Sequence, residues 1–223
     1  MLDTNHHIIN DSRLRVVKKK GANKLGRYSI IPFFVPSGCL AYHSALEFLG
    51  FQHQVFNHIQ ITSPSRFRPF CFQNETYVWV GELPRIDIIQ RKIDNTVVLC
   101  TSLSQTLVDC IYNINKIAGT EELLEVFFQL HHTDLDFSVI EKTLHYYNCK
   151  SLWQRCGYLF DRFSIETDPP KEFLKRCQIY SNGVRSKLGE RGPYYYDKEW
   201  GIRVNDEISN MVLNGVSYDY PHI

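Results

Sequence analysis

Asp134-Leu135-Asp136 is the nearest thing in this sequence to a metal-binding carboxylate pair. In nucleotidyltransferases two acids spaced D-x-D on a strand hold magnesium ions for phosphoryl transfer. Such a site also needs a Gly-Ser-bearing turn shortly before the pair. Here His131-His132-Thr133 precedes it and a helical pattern follows. The acids therefore read better as part of a polar loop, where a carboxylate favours the start of the next helix. His131 and His132 are neighbours without the H-x-x-x-H spacing of a metal-binding helix. His43 and Ser44, with Asp109, suggest a hydrolase, but adjacent helix residues do not face each other. No G-x-S-x-G elbow is present. Neither a P-loop nor G-x-G-x-x-G occurs, and the glycines of Gly21–Gly26 lie in an expected hairpin, not at a strand–helix junction. The expectation is a protein without catalysis and without a cofactor. The alternative is an enzyme with a nucleotidyltransferase-like or nuclease-like core built on Asp134 and Asp136.

Positive charge offers a second kind of chemistry. The formal net charge is only +1, so any nucleic-acid surface must be a local patch. The densest cluster is Lys18, Lys19, Lys20, Lys24 and Arg27, in a predicted turn from which side chains reach outward together. Such a patch contacts phosphates without reading bases. Arg66 and Arg68 flank Phe67 after Ser63-Pro64-Ser65, an arrangement that can grip a backbone and stack a base. Arg185, Lys187 and Arg191 form a third, weaker cluster.

The elements that would position these residues follow from periodicity. Arg13–Val17 and the β-prone run Arg27–Phe34 are expected to form a hairpin around the basic turn. Cys39–Leu49 has helical spacing and ends at Gly50. Short strands are expected at Val55–Thr62, Pro69–Phe72, Thr76–Val80, Arg85–Gln90 and Val97–Cys100. Ser102 and Gln105 fit a capping box that opens a helix running towards Gly119. Thr120–Leu130 is the next helix. Ser138 and Glu141 suit a second capping box, and Leu152–Phe163 and Pro170–Tyr180 read as two more helices. Tyr194–Val204 is a terminal strand region, and the residues beyond it look loose.

A β-rich N-terminal half, a helical C-terminal half and a closing strand predict an α+β domain. A 43% hydrophobic fraction is enough for a sizeable core. No apolar run is long enough to span a bilayer, and the polar Met1–Asp11 lacks the apolar core of a secretory signal, so the expected compartment is the cytoplasm. The seven cysteines are odd in number and contain no C-x-x-C pair, which points to reduced, mostly buried thiols.

Four segments carry a resemblance to a known family. Ala41–Phe51 holds a Ser-Ala-Leu core and ends in Gly plus an apolar residue. Thr101–Cys110 carries S-x-x-x-T-L-V-D and is continued by Ala118-Gly119 and Glu121-Glu122-Leu123. Gln154–Phe160 reads Q-R-C-G-Y-L-F, and Lys198–Asn205 resembles a closing K-W-x-x-x-V-N strand. In order and spacing, from about Ile30 to Asn205, the set resembles the AbiEi antitoxins of bacterial toxin–antitoxin, or abortive-infection, modules used in phage defence. The resemblance implies an antitoxin and transcriptional regulator acting, without a stable complex, against a nucleotidyltransferase-like toxin. DNA is a further expected partner, and no membrane is. Family members carry a winged helix-turn-helix ahead of this region. Here residues 1–35 are expected to hold a tail and a basic hairpin as a wing remnant, and 36–223 the antitoxin domain. With no recognition helix, binding is expected to be weak and without strong sequence preference. Read physically, Thr106, Leu107 and Cys110 share a helix face, and Asp109 faces outward or caps a neighbouring segment. Gly157 admits a close helix contact, and Trp200 plugs the core against the last helices.

Overall fold

Two-residue turns with left-handed backbone define the hairpins of the first half. Gln73-Asn74 (φ 49° and 67°) and Asp94-Asn95 (φ 48° and 63°) each link antiparallel strands. Positive φ at both positions matches the right-handed twist of the strands they join, and Asn and Asp tolerate it. These hairpins belong to a six-stranded mixed sheet: β1 (Cys39–Leu40), β2 (His58–Thr62), β3 (Phe70–Phe72), β4 (Glu75–Trp79), β5 (Ile88–Ile93) and β6 (Thr96–Thr101), in the order β3-β4-β2-β1-β6-β5. The computed structural model describes residues 26–52, 54, 56–189 and 192–214. Arg13–Val17 and the lysine-rich turn lie outside the described residues.

Arg27–Phe34, expected as a strand, is a turn followed by the short helix α1 (Ile31–Phe34). Pro32 accounts for the difference: its fixed φ and missing N–H suit a helix start and weaken a strand. Ile30, Ile31 and Val35 pack into the sheet's core with Leu40, Ile59, Ile61, Tyr77, Val98 and Cys100. The segment grouped above with the tail is thus built into the body of the protein.

Helix α2 (Tyr42–Leu49) joins this core to a second one. Ala45 and Phe48 pack on the sheet side, and Tyr42 and Leu46 on the helical side. Its start is capped from a distance, the Gln60 Oε1 accepting from the His43 N–H at 3.0 Å. Its end is Gly50 in the left-handed region, as expected. The second core is helical: α3 (Leu103–Tyr112), α4 (Thr120–Phe128), α5 (Phe137–Tyr147), α6 (Lys150–Arg162), the short α7 (Ser164–Thr167) and α8 (Lys171–Tyr180). A 3-10 turn at Ile114–Lys116 breaks the run expected to continue towards Gly119. Ser102 caps α3, its hydroxyl accepting from the Gln105 N–H, but the Gln105 side chain does not complete the box. Instead it takes N–H groups of Ile86 and Asp87 and donates to Pro84 O, tying the β4–β5 connection to the helix.

The closing region is a small sheet and a helix. Strands β7 (Lys187–Leu188), β8 (Tyr194–Asp197) and β9 (Ile202–Asn205) lie in the order β7-β9-β8, and α9 (Asp206–Asn214) follows where a loose end was expected. Gly157 of α6 is where this region meets the helices. A Cβ there would stand 2.2 Å from Trp200 Cζ3 and 2.7 Å from Cys177 Cβ. Trp200 is buried and donates its indole N–H to Asp161 Oδ2 at 2.8 Å. The fold is α+β, with sheet first, helices after and a small sheet closing the chain. Among the described residues no helix is long and apolar enough to cross a membrane.

Candidate nucleic-acid interface

The carboxylate pair is divided between two jobs. Asp136 is the N-cap of α5: its Oδ1 accepts from the N–H groups of Ser138 (2.8 Å) and Val139 (3.2 Å). Hydrogen bonding by Ser138 holds its carboxyl below the usual carboxylate range. The helix therefore starts two residues earlier than the Ser138–Glu141 box, and Glu141 instead pairs with Arg176. Asp134 sits in the preceding loop, not on a strand, and lines an open cleft of about 620 Å³ with His131, His132, Glu166 and Asp168. Among the described residues no three His, Cys, Asp or Glu side chains are grouped to hold a metal ion. The seven cysteines are free thiols, five of them buried and Cys71 exposed.

His43, Ser44 and Asp109 are all fully buried and are not assembled into a triad. Ser44 Oγ accepts from the Gln60 N–H at 2.9 Å, so it serves the α2–β2 junction. His43 Nδ1 lies 3.5 Å from Glu122 Oε1, and burial lowers its pKa to about 4. Asp109 neither faces outward nor caps a neighbour. It accepts from the Tyr147 hydroxyl (2.6 Å) and from Gln105 Nε2 (3.3 Å), and burial pushes its pKa up to about 7. It is a polar tie between α3 and α5.

The basic candidates sort differently. Lys18, Lys19, Lys20 and Lys24 lie outside the described residues, as does Arg191. Arg27 is turned inward, pairing with Glu47 and with Glu75 (3.0 Å) and donating to Phe56 O (2.9 Å). Arg66 and Arg68 are exposed, but Phe67 between them tilts onto Phe70, its centroid 6.0 Å away. The aromatic beside Arg66 is Trp79, with the guanidinium 5.7 Å from its ring centroid. Arg185 and Lys187 are exposed at the closing sheet and are joined there by Arg203 and Tyr196, which no charge cluster in the sequence includes. Lys187 pairs with Arg203 and Arg203 with Tyr196, placing the three in one row across β7, β9 and β8. The run Tyr194-Tyr195-Tyr196 before a strand with a single arginine was the available signal.

No family model matches the chain. No curated protein matches it. Among solved structures it is similar to the crystal structure of the Rv2827c protein from Mycobacterium tuberculosis, with a TM-score of 0.52 and 16% identity. The similarity covers 78% of this chain and 64% of that one, so this chain spans less than two thirds of that protein's length. At this identity the likeness is one of fold.

Proposed function

We propose that the protein is an antitoxin and transcriptional regulator of the AbiEi type, acting in the cytoplasm against a nucleotidyltransferase-like toxin. The observation that carries this reading is the fit of Trp200 over Gly157. It joins two of the four segments on which the resemblance rests, and the other two lie in α2 and α3, which pack together in the same core. The motifs thus behave as one interlocked scaffold, with no need for a reaction centre. The enzyme alternative asks for Asp134 and Asp136 together on a strand, whereas Asp136 spends an oxygen capping α5. Nucleic acid is engaged weakly, through Lys18, Lys19, Lys20 and Lys24 with Arg66 and Arg68 as a second contact; Arg27 contributes to the fold instead.

The test is growth rescue on co-expression with the product of the neighbouring reading frame, which this reading expects to be a nucleotidyltransferase-like toxin. Rescue is expected to survive Asp134→Ala with Asp136→Ala. No rescue by the wild-type chain overturns the antitoxin reading, and loss of rescue in a folded double variant favours the enzyme.

A further inference from the structure

One face of the closing sheet carries exposed side chains among the described residues. Paired residues on adjacent strands project from the same side of a sheet. Lys187, Arg203 and Tyr196 therefore form a single outward row, all of them exposed and Tyr196 at 44%. Tyr194, two residues along β8, lies on the same side, with Lys187 Nζ 5.2 Å from its ring centroid. Arg185, two residues before Lys187, is exposed as well. The alternate residues Leu188, Ile202 and Val204 are buried in the helical core, so the small sheet is apolar inside and basic–aromatic outside.

The salt bridges near this sheet belong to Arg162, which takes Asp161, Asp197 and Glu199. Among the described residues Arg185, Lys187 and Arg203 form no ion pair. Asp161, Asp197 and Glu199 are thus taken up by Arg162, and Arg185, Lys187 and Arg203 stand exposed within a chain that is nearly neutral as a whole.

We propose that this face binds single-stranded nucleic acid, with Arg185, Lys187 and Arg203 on phosphates and the Tyr196 ring stacked on a base. The strands are two to four residues long and are packed on the helical core by their other face, so they are poorly placed to enter a duplex groove as a ribbon. An exposed ring beside a row of cations suits unstacked bases on a phosphate chain, whatever their sequence. An acidic peptide would use the cations but would leave the ring without a role. This surface is separate from the N-terminal lysines, and the proposal stands apart from the antitoxin reading.

The experiment is a fluorescence-anisotropy titration of the full chain with labelled oligouridylate and oligothymidylate. It is run in a background carrying Lys18→Ser, Lys19→Ser and Lys20→Ser, so that affinity at that patch is not read. The combined Arg185→Gln, Lys187→Gln and Arg203→Gln variant is expected to lose at least about tenfold in affinity. It should also lower the salt slope by about 2, since each phosphate contact on a single strand contributes about 0.7. Tyr196→Phe should bind like its parent, and Tyr196→Leu about tenfold more weakly, because stacking needs the ring and not the hydroxyl. Matched thermal midpoints show that a loss of binding is not a loss of fold. The proposal is overturned by absence of binding, by a triple variant equal to its parent, by equal affinity of the Phe and Leu variants, or by polyglutamate binding as tightly as the oligonucleotides.

Discussion

The two sheets of this protein carry the same kinds of cation and use them in opposite ways. Against the six-stranded sheet Arg27, Arg85 and Arg91 are held by the protein, while Arg66 and Arg68 on the β2–β3 connection stay exposed. Arg27 has Glu47 and Glu75, Arg85 donates to Ser37 O, and Arg91 donates to Phe48 O and covers the Phe48 ring. On the three-stranded sheet, Lys187 touches only a tyrosine ring among these contacts, and Arg203 is bordered by strands without an opposing acid. A cation paired inside the molecule adds cohesion, and a cation left facing solvent is available to a ligand. Counting charge in the sequence merges the two, which is why the net value of +1 says little about binding.

The largest expected effect tests how the small sheet is mounted. Gly157→Leu would drive a branched side chain into the Trp200 ring and Cys177. The cost, from overpacking and forced backbone shifts, should exceed ~2 kcal/mol. Urea unfolding followed by tryptophan fluorescence checks it. A midpoint equal to that of the wild type would mean that the closing sheet is not anchored through this contact.

Gly157 was also among the most legible positions. A lone glycine in an apolar helical pattern asks for a close neighbour, and Trp200 is that neighbour. Gly50 and Ser102 were readable for a similar reason, because helix ends are local chemistry. Choices settled by distant partners were not readable. Asp136 and Ser138 are both good caps; the Asp136 N–H donates to Ser104 Oγ at 2.9 Å, placing Asp136 at the turn. The β-prone side chains of Arg27–Phe34 concealed the one residue, Pro32, that decided for helix. Helix α9 was missed because its apolar residues, such as Ile208, show their purpose only against the core they meet. At the candidate site, Arg185 and Lys187 were visible as a charge cluster, but Arg203 joins them only through the pairing of β7 with β9, which no local pattern encodes.

The next effect concerns an anion held inside without a cation. Asp109 is fully buried, and its oxygens meet only the Tyr147 hydroxyl and Gln105 Nε2 among the hydrogen bonds described. Burial outweighs those two bonds and raises its pKa from 3.8 to about 7. A group whose folded pKa is raised binds its proton more tightly when folded. Its stabilising effect is complete below about pH 4, declines as pH rises, and is gone above about pH 7. Wild-type stability should therefore fall across this window relative to Asp109→Asn, which cannot ionise, by on the order of a few kcal/mol. Thermal midpoints of both proteins at matched pH values test it. Parallel curves would show that Asp109 is already ionised at the low end and that its two donors outweigh burial.

The smallest effects bear directly on the contrast between the sheets and come as a matched pair. In Arg27→Gln the carboxylate of Glu47, whose side chain is 12% exposed, loses its cation while remaining largely desolvated. Burial already pushes the Glu47 pKa up and Arg27 draws it down, so removing the guanidinium leaves the rise unopposed. Leaving a charged group underpaired in such a place costs about 2 kcal/mol. The deficit should be greatest at neutral pH and shrink as the pH falls and Glu47 takes up a proton. Arg203→Gln removes the same charge from an exposed strand position with no acid facing it, and should change stability by no more than about 0.5 kcal/mol. Chemical denaturation of the two variants at two pH values compares them. If they cost the same, the arginines of the two sheets are doing the same work, and the division between cations that hold the fold and cations left for a ligand fails.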